Sequence, residues 1–171
     1  MCEKNRPVFD IETLMRKYGN EVLRTAYMYV RDYHLAEDIF QDVFLKVNQK
    51  LNTFQGDSSI KTWIIRIAIN TCKDYLKCAY QRRVVPMMDY KEEALACDDV
   101  YDEVEQSDRN EEKRSVVMSL PDKYREIVIC VYYNGMSVSE AAGVLHIAEG
   151  TAKSRLKRAR DKMKTVLEGR V

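Results

Sequence analysis

Trp63, Arg66, Asn70, Lys73, Lys77 and Tyr80 follow one another at spacings of three or four residues. At roughly 100° per residue they would share a band about 100° wide on one helix. The chemistry on offer is polar and aromatic. Ammonium, guanidinium and amide groups can track phosphates and base edges, and the two rings at the edges of the band offer stacking surfaces to unpaired bases. An ordinary charged helix surface, with Trp63 and Tyr80 partly tucked into a core, fits the pattern equally well.

A second basic set is denser. Lys153, Ser154, Arg155, Lys157, Arg158, Arg160, Lys162 and Lys164 fill the positions between Ala152, Leu156, Ala159, Met163 and Val166. The apolar set recurs at spacings of four and three, so it should face inward and leave the bases outside. Side chains at the start of such a helix can enter a major groove, while the remaining bases meet phosphates. A third set is acidic. Leu35, Ala36, Ile39, Phe40, Val43, Phe44 and Val47 occupy one arc of a helix, and Glu37, Asp38, Gln41, Asp42 and Leu45 the other. A solvated acidic face with one stray leucine is the reading the pattern favours. A docking face for a basic, partly apolar helix also fits, and periodicity does not decide.

Helices must position these sets. The segment from residue 8 to about 83 has helical periodicity throughout. Ile11, Leu14, Met15 and Tyr18 fit one helix, Gly19-Asn20 interrupts, and Val22, Leu23, Ala26, Tyr27 and Val30 fit a second. A third helix runs from about Leu35 to Leu51, and Phe54 to Ser59 is a loop ending in capping residues. A fourth spans about Ile60 to Arg82, with Ile60, Ile64, Ile67, Thr71 and Tyr75 as its expected buried stripe.

Towards the C-terminus the local signals are sharper. Leu120-Pro121 opens a helix, and Asn134-Gly135 stops it. Ser137-Val138-Ser139-Glu140 matches a capping box with Met136 as its staple. Val138, Ala141, Ala142 and Leu145 form an inner face, His146 to Gly150 turns the chain, and a last helix runs from about Thr151 to Leu167. Capping box, turn and basic helix in that order make a helix-turn-helix.

The expected architecture is all-α: two small helical domains, 1–83 and 113–171, joined by an acidic linker at 84–112, the second domain being the helix-turn-helix. The net charge of +1 conceals this division. From Asp89 to Glu112 eleven acids face two bases, a net of −9, and from Gly150 to Val171 eight bases face two acids, a net of +6. No run of 18 apolar residues is present, so no membrane insertion is expected. Met1 to Asp10 does not read as a secretory signal, and a cytoplasmic location is expected. The five cysteines, Cys2, Cys72, Cys78, Cys97 and Cys130, form no C-x-x-C pair and lie far from His34 and His146. Reduced thiols and no metal are therefore expected. No Gly-rich phosphate loop, carboxylate pair or Ser-His-Asp set stands out, so neither a cofactor nor catalysis is expected.

Three stretches resemble the extracytoplasmic-function sigma factors, the smallest bacterial sigma factors. They are Ala36-Glu37-Asp38-Ile39-Phe40-Gln41-Asp42-Val43-Phe44-Leu45-Lys46, Phe54 to Lys77 with Lys61-Thr62-Trp63 and Asp74-Tyr75-Leu76, and Leu120-Pro121 through Gly150-Thr151-Ala152-Lys153-Ser154-Arg155-Leu156 to Arg160. The resemblance implies that Asp38, Gln41, Asp42 and Leu45 dock on core RNA polymerase. It implies that Gly56, Asp57 and Ser58 in the loop, with Trp63, Arg66, Asn70, Lys73 and Lys77 on the helix, hold the melted "−10" promoter element. Lys153, Ser154, Lys157 and Arg158 would read the "−35" element as duplex, with Arg155 on phosphate. It further implies a linker threaded through the polymerase and an anti-sigma factor as a partner. The chain departs from the family pattern at Val131, where an arginine is frequent, at Asn48, where an aromatic is frequent, and at Cys78-Ala79, which dilute a basic run. The rivals are a stand-alone helix-turn-helix regulator of duplex DNA and a helical adaptor that binds only protein. The first leaves the acidic face and the band from Trp63 to Tyr80 without a role, and the second ignores the basic last helix.

Overall fold

The computed structural model describes residues 9–83 and 107–169. The N-terminal residues 1–8 and most of the expected linker, 84–106, lie outside the described residues. Among the described residues every regular element is helical. The chain divides into two compact units, Met1–Leu76 and Lys77–Val171.

In the first unit α1 spans Ile11–Val30 and α2 Tyr33–Lys50, while α3, Ile60–Arg83, begins there and continues past Leu76. A single 3-10 turn, Leu51–Thr53, follows α2. Local chemistry sets the ends. Asp10 accepts the Thr13 amide at 3.0 Å and caps α1, and these bonds from Thr13 hold its carboxyl below the usual range. Asp32 accepts the Leu35 amide at 2.9 Å and caps α2. Ser59 accepts the Thr62 amide at 3.0 Å and caps α3.

The break expected at Gly19-Asn20 is absent: α1 continues through it. A glycine inside a helix costs only about 1 kcal/mol against alanine, and here it permits a close approach. A Cβ on Gly19 would stand 3.3 Å from the Phe40 ring of α2. The buried arc of α3 also differs from expectation. Ile64 and Thr71 are buried as expected, but Ile60, Ile67 and Tyr75 are only half-buried, while Ile65, Ala68, Ile69 and Cys72 are wholly enclosed. The cause is that α3 has two neighbours. Lys61 reaches Glu21 on α1 at 3.7 Å, and Lys46 on α2 reaches Thr71 at 3.1 Å. A helix packed on two sides buries a broader arc than one stripe of isoleucines marks.

In the second unit α4 spans Ser107–Met118, starting inside the stretch read as linker, and α5 spans Asp122–Val128. A π-helical turn, Ile129–Tyr133, extends α5, followed by α6, Val138–Leu145, and α7, Glu149–Glu168. The turn is wide because the Asn134 amide bonds the carbonyl five residues back, Ile129, at 3.1 Å. The Asn134 side chain donates to the same oxygen at 3.1 Å. Gly135 then takes φ +67°, a conformation that disfavours a Cβ. The capping box of α6 is complete: Glu140 N–H donates to Ser137 Oγ at 3.1 Å, and Ser137 N–H to Glu140 Oε2 at 2.9 Å. His146, at φ 55°, ends α6. The last helix begins at Glu149, so Gly150 belongs to its first turn and not to the loop before it.

α7 packs against α4, α5 and α6 through Ala152, Leu156 and Ala159. Arg125, a residue with no counterpart in the sequence expectations, is buried where α4 gives way to α5. Its guanidinium donates to the carbonyls of Met118 and Leu120 at 3.4 Å and pairs with Asp122. It satisfies carbonyls that the end of α4 leaves open.

Candidate nucleic-acid interface

On α3 the expected band survives, better placed than its sequence implied. With Ile64, Ile65, Ala68, Ile69 and Cys72 buried, the band from Trp63 to Tyr80 stands about opposite the buried arc, at roughly 100° per residue. Arg66, Asn70 and Lys73 are half-buried, with Lys77 and Tyr80 exposed. Tyr80, at 75% exposed, keeps almost its whole ring available. Arg66 Nε is buried without a hydrogen-bond partner among the described residues. A buried donor left in this way costs on the order of 1–3 kcal/mol.

Trp63 is divided between the two roles considered for it. Its ring lies 5.3 Å from Phe54, which in turn meets Phe9 at 5.9 Å, and it is half-buried. These three rings anchor the base of the loop before α3. Gly56 takes φ +81° with open space around it, Asp57 is exposed and Ser58 half-buried. The loop thus projects from an aromatic base beside the first turn of α3.

On α7, Gly150, Ser154 and Lys157 point away from the buried Ala152, Leu156 and Ala159, with Lys153 and Arg158 flanking them, at roughly 100° per residue. All five are exposed, and Arg155, nearer the packed side, is half-buried. Several of these bases already have partners. Lys153 pairs with Glu149 at 2.7 Å, and that bond pulls the Glu149 carboxyl below its ordinary value. Ser154 Oγ donates to its own helix, to Thr151 O at 3.0 Å. The Arg158 guanidinium beside it draws the Tyr124 phenol below its usual pKa. Lys123 and Lys162 lie over the same ring at 5.1 and 5.9 Å. Arg160 Nε donates to the Tyr132 hydroxyl at 2.6 Å.

The acidic face of α2 is open. Asp38 and Gln41 are exposed, Asp42 is half-buried, and Leu45 is 60% exposed, so this leucine is no part of the core. The Tyr75 hydroxyl on α3 donates to Asp42 Oδ2 at 2.5 Å. That bond, with burial and the charges of Asp42 and Asp38, pushes the Tyr75 phenol up to about 12. Sequence reasoning missed Tyr75, Tyr124 and Tyr132 as partners of these charged groups. No local pattern pairs residues 33 or 28 positions apart.

Among the described residues no group of three or more His, Cys, Asp or Glu is placed to hold a metal. Burial pushes the Cys72 thiol up to about 12, which makes it a poor nucleophile, and Cys78 is exposed. No described helix is long and apolar enough to cross a membrane.

The family model for sigma-70 region 2 matches residues 14–83, and that for sigma-70 region 4 matches residues 114–163. The ECF RNA polymerase sigma factor SigM of Mycobacterium tuberculosis is 29% identical over 93% of this chain and 78% of its own. The ECF RNA polymerase sigma-E factor of Escherichia coli is 31% identical over 86% of this chain and 81% of its own. The sigma factor RpoE of Bartonella quintana, solved in complex with the anti-sigma factor NepR, superposes with a TM-score of 0.74 at 22% identity, covering 93% of this chain and 97% of that one.

Proposed function

The chain belongs to the extracytoplasmic-function sigma factors of RNA polymerase, and from that premise we propose which of its residues do the work. As a sigma factor it binds core RNA polymerase and directs promoter recognition, melting and initiation; it is not a stand-alone regulator. Asp38, Gln41, Asp42 and Leu45 on α2 form the polymerase-docking face. Gly56, Asp57 and Ser58, with Trp63, Arg66, Asn70, Lys73 and Lys77, hold the single-stranded −10 element. Lys153, Ser154, Lys157 and Arg158 read the −35 duplex, and Arg155 meets phosphate. The domains run 1–83 and 113–171, with 84–112 as the acidic linker. The protein works in the cytoplasm, has no active site of its own, and has an anti-sigma factor as a further partner.

The observation that carries the assignment is the band on α3. Its cations, amide and exposed Tyr80 ring stand opposite the buried arc, beside a loop that begins on an aromatic base. That surface suits an unpaired strand: charge for the backbone and a ring for a base. A duplex-only regulator has no use for it.

The test is transcription in vitro by purified core polymerase on genomic fragments, with and without the protein. Discrete transcripts that require both components are the expected result. A variant with Asp38→Lys and Asp42→Lys should lose polymerase binding and these transcripts, while its circular dichroism and melting temperature stay close to wild type. Undiminished binding by that variant would remove α2 from the interface.

A further inference from the structure

Asp42 and Lys46 sit four residues apart on α2, the spacing at which an acid and a base ordinarily pair with each other. They do not. Lys46 Nζ turns to α3 and donates to Thr71 Oγ1 at 3.1 Å, and Thr71 passes its own proton to the Ile67 carbonyl at 2.8 Å. Asp42 Oδ2 instead accepts the Tyr75 hydroxyl at 2.5 Å. Thr71 and Tyr75 are themselves four apart, so two polar rungs join the helices. One rung holds the cation and the other holds the anion.

The consequence is electrostatic. An Asp42–Lys46 ion pair would neutralise the carboxylate beside the exposed Leu45. The rungs keep the two charges apart and leave Asp42 hydrogen-bonded to a neutral phenol. Asp42 is half-buried there, beside exposed Asp38 and Gln41. A phenol donor restricts the carboxylate to one orientation without cancelling its charge, which is the state a basic partner would bind with least reorganisation.

We propose that Tyr75 is a positioning residue for polymerase docking: from α3, its hydroxyl holds the Asp42 carboxylate outward-competent and away from Lys46. This rests on the assignment of Asp42 to the docking face. It also makes the promoter-binding helix a structural support of the polymerase-binding one.

A double-mutant cycle on the full-length protein tests it, with affinity for core polymerase, melting temperature and duplex binding as readouts. Tyr75→Phe removes one oxygen and keeps the ring. It should weaken polymerase binding by about three- to tenfold, the net worth of one ordinary hydrogen bond, because the hydroxyl acts through Asp42 and not on the partner itself, and leave duplex binding unmoved. In the Asp42→Asn background the same change should have little further effect. Adding Lys46→Met to Tyr75→Phe should recover part of the lost affinity, because the competing cation is gone. If Asp42→Asn and Asp42→Lys both bind polymerase like wild type, the docking assignment falls and this proposal with it. If the Asp42 variants weaken binding and Tyr75→Phe does not, the assignment stands and the proposal is overturned. Equal losses from Tyr75→Phe in both backgrounds overturn it too, since the hydroxyl would then act elsewhere. Should Tyr75→Phe also lower the melting temperature, Lys46→Met decides: affinity regained without a regained melting temperature supports the proposal, and no regain overturns it.

Discussion

Arg158 is assigned to the duplex, yet it already has a neighbour in its own fold. Its guanidinium lies close enough to the Tyr124 hydroxyl to lower that phenol's pKa, yet it stands exposed beside Lys157 and Ser154 on the outward side of α7. Tyr124 is itself buried at 7% exposure, so it is a fixed neighbour that limits where the long side chain can go. Holding a guanidinium before the duplex arrives reduces the entropy lost on binding. Replacing Arg158 by Ala should therefore cost about 1–3 kcal/mol of affinity for a −35 duplex. Fluorescence anisotropy with promoter and scrambled duplexes is the measurement. A loss confined to the promoter sequence marks a base contact, an equal loss on both marks a phosphate contact, and no loss would move the groove face away from Arg158. The arginine itself was legible from the amphipathic pattern of α7. Its tyrosine was not, because Tyr124 belongs to another helix and carries no sign of its partner in the neighbouring sequence.

At the scale of the element, legibility followed locality. The capping box of α6 closes within four residues, and both of its bonds form. The stop at Asn134-Gly135 was equally local, although the π-helical turn before it was hidden, since the pattern of Ile129, Cys130 and Val131 fits either helical pitch. Gly19 misled because propensity marks a glycine as a break, whereas packing against Phe40 uses its missing side chain. The buried arc of α3 misled for a related reason: Ala68 and Cys72 are small, and only the presence of two neighbouring helices reveals that they are enclosed. The polar and aromatic band on α3 was thus legible from residue spacing, while its placement opposite the core needed the fold. These elements differ in what they contribute, which substitution can measure. Ser137→Ala removes the cap alone and should cost about 1 kcal/mol. Ile69→Ala leaves a cavity in the first unit and should cost about 2–5 kcal/mol. Urea unfolding followed by far-ultraviolet circular dichroism would rank them, and a Ser137→Ala cost as large as that of Ile69→Ala would show that the cap contributes more than its hydrogen bond.

Across the whole molecule, charge is segregated and not balanced. A net of −9 between Asp89 and Glu112 and a net of +6 from Gly150 onwards share one chain of net charge +1. Any duplex is a polyanion, so the basic α7 attracts all sequences alike through counterion release. An acidic stretch tethered to the same chain raises the local negative potential and penalises that indiscriminate attraction, most strongly at low salt, where the Debye length is long. The penalty is the same for every duplex, whereas base contacts reward only the right one, so the acidic stretch should lower non-specific affinity and leave the preference for promoter sequence to the groove face. Neutralising Asp98, Asp99, Asp102 and Glu103 to their amides in the full-length protein should therefore tighten binding to random duplex, and the gain should shrink as salt rises from roughly 0.05 to 0.2 M. A salt titration of anisotropy on wild type and variant measures both quantities. Superimposable curves at low salt would show that the acidic stretch does not reach the field of α7, and its charge would then have to act on the polymerase alone.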